Sequence, residues 1–295
     1  MDIDTYVGMT KGIPKLLEVF HEHSILTSFF VVMGPDTMGK HKKRFKKKGY
    51  LKRILKVNPF KLIRNFGIKP FFYGTLLKSP SIGSGNPKVL KDIIDQGHEV
   101  GIHSYNHCRW ADEVEGFSGD EIQEEYDKCC ELFESIAGEP PKSSAAPNWR
   151  CNERTLEIQD KLKFLFASDV RGSYPFYPKI NNKKFKTLQI PSTLPSTHEC
   201  LQTGKVNKKT VIKYIVGKMN NGINVLTIHD WFEALGEIGM VEEFIKRSID
   251  LGFKFRTLGF IAGECLKEPS EIPFSNIVQR NIEGGIGTVS CQDVR

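Results

Sequence analysis

His98-Glu-Val-Gly-Ile-His-Ser-Tyr-Asn-His107 is the stretch on which the fold turns. Ahead of it, Lys88 to Gln96 has helical spacing of apolar residues, and Gly97 suits a C-terminal stop. His98 to Ile102 then reads as a strand. Helix, stop and strand make one unit of an α/β fold with a parallel sheet. His103 and His107 follow that strand with three residues between them. If the chain turns helically there, both imidazoles face one point, because residues i and i+4 share a helix face. Active sites of parallel α/β folds collect at the C-terminal ends of strands. A histidine pair of this spacing also occurs on ordinary surface helices, so it needs partners before it means metal.

Working outward, the same unit recurs. Gly12 to Glu22 reads as a helix with Pro14 in its first turn, followed by an apolar run from Ile25 to Val32 that suits a buried strand. Ser118 and Glu121 form a capping box that opens a helix to Ala137, closed by Gly138 and Pro140. Beyond it, a short run at Ser143 to Ala146, a helix near Glu153 to Leu162 and a strand at Phe164 to Ser168 are expected. Lys208 to Met219 reads as helix, Asn224 to Ile228 as strand, Val241 to Asp250 as helix, and Phe253 to Arg256 as the last strand. No fixed-period repeat is present. From about Lys267 the hydrophobic periodicity fades, so the tail is expected outside the core.

With 295 residues the chain can bury one large core. Its seven cysteines form no C-x-x-C pair, which argues for a reducing compartment and against a disulfide framework or a structural zinc cluster. No run approaches the ~20 apolar residues of a membrane-spanning helix, and no signal peptide is expected. The net charge of +7 is unevenly spread. Between Thr37 and Lys91 lie sixteen Lys or Arg and no Asp or Glu, which leaves the remainder acidic.

Other candidate residues also fall at expected strand ends. Asp2 and Asp4, two residues apart, point to one side of a strand, so both carboxylates could reach one site. One His-His-Asp set leaves a divalent ion open positions for water and substrate. The second carboxylate can then take the proton of an attacking water. His229 closes the strand Asn224 to Ile228 and is placed to protonate a departing amine. Asp169 could orient an imidazole, and the Arg150 guanidinium could clamp a carboxylate or a phosphate. Taken singly, each residue is as readily a structural group.

The strings that carry a resemblance are Asp2-Ile-Asp-Thr-Tyr-Val-Gly8, Thr27-Ser-Phe-Phe30 and Gly34-Pro-Asp-Thr-Met-Gly39, with Gly101-Ile-His-Ser-Tyr-Asn-His107 and Trp149-Arg150. They continue in Ser168-Asp-Val-Arg-Gly172, Gln189-Ile-Pro-Ser-Thr-Leu-Pro195 and Thr227-Ile-His229. Together they resemble the polysaccharide-deacetylase (NodB-homology) superfamily. Within it they are most like the deformylases of 4-deoxy-4-formamido-L-arabinose-phosphoundecaprenol.

The resemblance implies a distorted (β/α)7-type barrel over residues 1–264, a basic insertion at 40–70 and an extension at 265–295. It implies Asp2 as catalytic base, Asp4, His103 and His107 as metal ligands, Arg150 as the arginine on the base, His229 as general acid and Asp169 as its support. It also implies a divalent ion, zinc first, with cobalt, nickel, iron or manganese equally compatible with such ligands. The implied reaction is hydrolysis of a formamide on a polyprenyl-phosphate-linked sugar; a deacetylase of another N-acyl sugar is the alternative within the family. A strand leads into Asp-x-Asp in the family, whereas only Met1 precedes it here. The barrel is therefore expected to lack its first strand, or the chain to start upstream.

Lys40 to Lys69 carries thirteen basic residues interleaved with Phe45, Tyr50, Leu55, Phe60 and Phe66. That pattern reads as binding to an anionic membrane surface, which would place the protein peripherally on the inner face of the cytoplasmic membrane. Nucleic acid is not expected, because no recognised binding fold accompanies the charge. A non-catalytic barrel that only binds a membrane or nucleic acid is the alternative from another class.

Overall fold

The apolar runs pair into a parallel sheet in the computed structural model, which describes residues 1–40, 64–285 and 287–294. In chain order the strands are β1 (Asp2–Ile3), β2 (Ser28–Val31), β3 (Glu99–Ile102), β4 (Ser143–Ser144) and β5 (Phe166–Ala167). Then come β6 (Tyr177–Ile180), β7 (Lys183–Lys184), β8 (Leu188–Gln189), β9 (Phe274–Asn281) and β10 (Thr288–Gln292). The main sheet runs β1-β2-β3-β4-β5-β8 with every pair parallel. Between its two edges lies the extended stretch 225–229. Asp2 N donates to Ile228 O at 2.9 Å, and Thr193 N and Leu194 N donate to Val225 O at 3.1 and 3.0 Å. The sheet edges therefore meet across that stretch.

Helices cover the sheet: α1 (Ile13–Glu22), α2 (Pro87–Asp95), α3 (His107–Glu113), α4 (Gly119–Ala137) and α5 (Glu153–Leu162). After them follow α6 (Thr197–Thr203), α7 (Val211–Val216), α8 (Ile238–Asp250) and α9 (Leu258–Cys265). The capping box at Ser118 and Glu121 forms as read, and Gly138 ends α4 at φ 81°. Ile3, Phe29, Val31 and Ile102 fill the core between sheet and helices.

Several expectations change. The first strand is present, as a two-residue pairing of Asp2 with Phe30 and Ile3 with Val31. Residues 224–228 run extended where expected but form no named strand: main-chain bonds reach Val225 O and Ile228 O, and the next residue, His229, bridges Asp2. Residues 253–256 are not a strand; Phe255 packs its ring on Phe244, and the backbone passes without a ladder into the Thr257 cap of α9. Part of the basic insertion, residues 41–63, lies outside the described residues.

The tail is not outside the core. β9 and β10 pair as an antiparallel hairpin, and β9 joins β6 in parallel to make a second sheet. Val289 and Cys291 bury against Trp149, while Arg171 N donates to Ser290 O and Gln292 N to Arg171 O. Only two apolar side chains anchor β10, so periodicity carried little of this; main-chain bonds and the side-chain bonds of Ser290 and Gln292 hold the rest. Val289→Asp is expected to cost several kcal/mol, on the order of 3, because it buries an unpaired charge against Trp149. A thermal melt with a wild-type midpoint would refute that packing.

Candidate active site

Asp4, His103 and His107 each bring one ligand atom within 4.8 Å of the others. Asp4 Oδ1 lies 3.4 Å from His103 Nε2 and 3.6 Å from His107 Nε2. The histidines converge differently from the helical face read from their spacing. His103 directly follows β3, Ser104 turns through a left-handed φ of 68°, and His107 is the first residue of α3. The Asn106 cap holds that turn, accepting from Arg109 N at 3.1 Å. Glu125 of α4 accepts from Asn106 N at 3.1 Å and Arg109 Nη1 at 2.8 Å.

His103 Nδ1 donates to Ala145 O at 2.8 Å. A carbonyl can only accept, so Nδ1 carries the hydrogen and Nε2 is the nitrogen that faces Asp4. Asp4 Oδ1 is buried with no hydrogen-bond partner. Burial pushes the Asp4 carboxyl well above the usual carboxylate range. A buried carboxylate oxygen without a hydrogen-bond donor, close to two imidazole Nε2 atoms, is what a divalent cation satisfies. The donor set therefore fits a metal ion.

Asp2 and His229 adjoin this trio. Asp2 Oδ2 lies 3.9 Å from both His103 Nε2 and His229 Nε2. Burial first, then the nearby imidazoles of His198 and His103, hold His229 well below the usual histidine range. It rests neutral at neutral pH, and its Nδ1 has no hydrogen-bond partner. Its backbone N–H donates to Glu233 Oε2 at 2.8 Å, and burial pushes Glu233 up to about 7. The ring of His198 stands edge-on to His229, with centroids 4.8 Å apart.

Two expected residues stand apart. Asp169 makes no hydrogen bond to His229: its Oδ2 accepts from Gln159 Nε2 at 2.7 Å and Gln189 Nε2 at 3.1 Å, and its Oδ1 has no partner. Arg150 Nε is buried without a partner, and among the described residues Arg150 forms no ion pair with Asp2. Residues the spacing did not flag include Asp36, whose carboxylate accepts from Tyr6 N at 2.9 Å and Met38 N at 3.1 Å. This explains part of the Gly-Pro-Asp-x-Met-Gly string, since it ties the end of β2 to the loop after Asp4. Gly34 is needed there because a Cβ would lie 2.3 Å from Tyr105 O.

Burial raises Asp169 to about 6 from an ordinary 3.8. The folded form then binds the proton more tightly than the unfolded chain, so this residue's contribution falls as pH rises from about 4 to 6. Relative to Asp169→Asn, wild-type stability is expected to drop by about 3 kcal/mol across that window. Parallel urea titrations of both proteins at pH 4 and 7 check it; identical pH slopes would contradict the burial argument.

The polysaccharide deacetylase family model matches residues 4–167, which include all three convergent ligands. The chain belongs to the polysaccharide deacetylase family. It is a hydrolase that acts on an amide C–N bond. A Shewanella sediminis relative named probable 4-deoxy-4-formamido-L-arabinose-phosphoundecaprenol deformylase ArnD is 32% identical across 99% of this chain and 93% of its own. A Wigglesworthia glossinidia brevipalpis relative of the same name is 31% identical across 97% and 98%. Among solved structures, a candidate polysaccharide deacetylase of Mycobacterium smegmatis superposes with TM-score 0.63 at 18% identity, covering 93% of this chain and 82% of that one. Peptidoglycan deacetylase PdaC of Bacillus subtilis does so with TM-score 0.52 at 15% identity, covering 92% of each. These two share the family's fold.

Proposed function

We propose that the protein removes the formyl group from 4-deoxy-4-formamido-L-arabinose carried on undecaprenyl phosphate, with a divalent metal, zinc first, held by Asp4, His103 and His107. The near full-length likeness to the two ArnD relatives supports the substrate. The unpartnered Asp4 Oδ1 between two imidazole nitrogens supports the metal. A bound ion there would supply Lewis acidity toward the formyl oxygen and lower the pKa of a neighbouring water. Asp2 is the carboxylate placed to take that water's proton. His229 gives a proton to the departing amine. Because His229 rests neutral, that proton has to reach it within the same turnover, and Asp2 is the carboxylate beside it.

No described helix is long and apolar enough to cross a membrane. We place the protein at an anionic membrane surface, where a polyprenyl substrate resides. Ile68, Phe71, Leu76 and Leu77 are exposed, Leu76 at 80%, next to Lys69 and Lys78. Apolar tips flanked by lysines suit a headgroup layer. The deciding experiment supplies the zinc-loaded enzyme with formamido and acetamido forms of the same lipid-linked sugar. Release of amine from the formyl form alone supports the assignment. Preference for the acetyl form moves the protein to deacetylation, and turnover of neither sinks both.

A further inference from the structure

We propose that Asp230 is the positioning residue that sets Asp4 against the two imidazoles, so that metal affinity depends on it. The inference rests on the reading of Asp4, His103 and His107 as a metal centre. Asp230 is fully buried directly after His229. Its Oδ1 accepts from Asp4 N at 3.1 Å; its Oδ2 accepts from Thr5 N at 2.9 Å and Thr5 Oγ at 2.7 Å. Thr5 Oγ in turn accepts from Gly8 N at 3.0 Å.

Asp4 lies just past the end of β1, where the ladder with β2 no longer supplies partners for every N–H. Without Asp230, two consecutive amides, one part-buried and one buried, and a hydroxyl would lose their acceptor. With it, the backbone of Asp4 and Thr5 is pinned, and so is the direction in which the Asp4 side chain leaves. The neighbour Trp231 adds a side-chain hydrogen bond to the Asp4 carboxylate. His229, Asp230 and Trp231 thus grip the N-terminal acids together: His229 faces Asp2, Asp230 fixes the Asp4 backbone and Trp231 touches its side chain. The seat is tight, since a Cβ on Gly8 would come within 1.8 Å of Asp230 Oδ2. No spacing rule joins these residues, because 226 positions separate Asp4 from Asp230.

Outer-shell partners of metal ligands typically control ~10–100-fold in affinity. A residue that only stabilised the fold would change the melting temperature and leave the metal alone. The test measures Zn²⁺ dissociation constants of the full-length protein against a chromophoric chelator, with visible spectra of the Co²⁺-loaded form. Folded Asp230→Asn is expected to bind zinc about 10–100-fold more weakly and to shift the Co²⁺ absorption. A folded Asp230→Asn with wild-type affinity and spectrum overturns the proposal, whatever its melting temperature. Should that variant fail to fold, Thr5→Val decides, since it deletes one of the three bonds and keeps the carboxylate. A weakening of about three-fold or more then supports the role, and an unchanged constant overturns it. Wild-type protein that binds no zinc at all defeats the metal reading itself, and the role of Asp230 falls with it.

Discussion

His103→Ala is expected to retain no stoichiometric zinc and to turn over the formamido substrate at least about 10³-fold more slowly than wild type. The size follows from what the residue supplies. His103 is one of three donors, and a hydrolytic site needs three protein ligands so that the remaining positions stay open. Its Nδ1 bond to Ala145 O orients the ring, so no neighbouring side chain can take over the position. His103 is only 2% exposed, and alanine there also leaves a cavity and an unpaired carbonyl. Loss of fold could therefore imitate loss of metal. His107→Ala separates the two, because that side chain is 20% exposed and begins a helix rather than directly following a core strand. Elemental analysis and circular dichroism of both variants check the prediction. A folded His107→Ala that keeps its zinc and its rate would place the metal elsewhere.

Local signals were legible and non-local ones were not. The capping box at Ser118 and the helix Glu153–Leu162 lie within a few residues of their own causes, and both form where read. Strand ends were legible enough to put Asp2, Asp4, His103, His107 and His229 at one end of the sheet. The route by which the histidines converge was not, because a serine at φ 68° carries no sequence mark of a left-handed turn. Asp169 hydrogen-bonds to Gln159 and Gln189 rather than to His229, which no local spacing could show. The positions of Gln159 and Gln189 depend on how α5 and β8 pack. Asp230 was visible only as an acid beside a candidate histidine, and its grip on Thr5 needs the closed sheet edge to appear.

His229→Ala is expected to lower kcat by about 10²–10⁴ while zinc content stays at the wild-type level. The split arises because His229 contributes no ligand atom to the convergent trio, yet its Nε2 lies 3.9 Å from Asp2 Oδ2. Asp2→Asn is expected to fall in the same range, because an amide cannot accept water's proton. The double variant is the more telling measurement. If Asp2 and His229 handle one proton in sequence, removing the second after the first has little left to damage, and the double variant should be about as slow as the slower single one. If instead their effects multiply, the two act on separate barriers, and His229 must draw its proton from another source. His198, edge-on at 4.8 Å, is then the neighbouring titratable group to replace next.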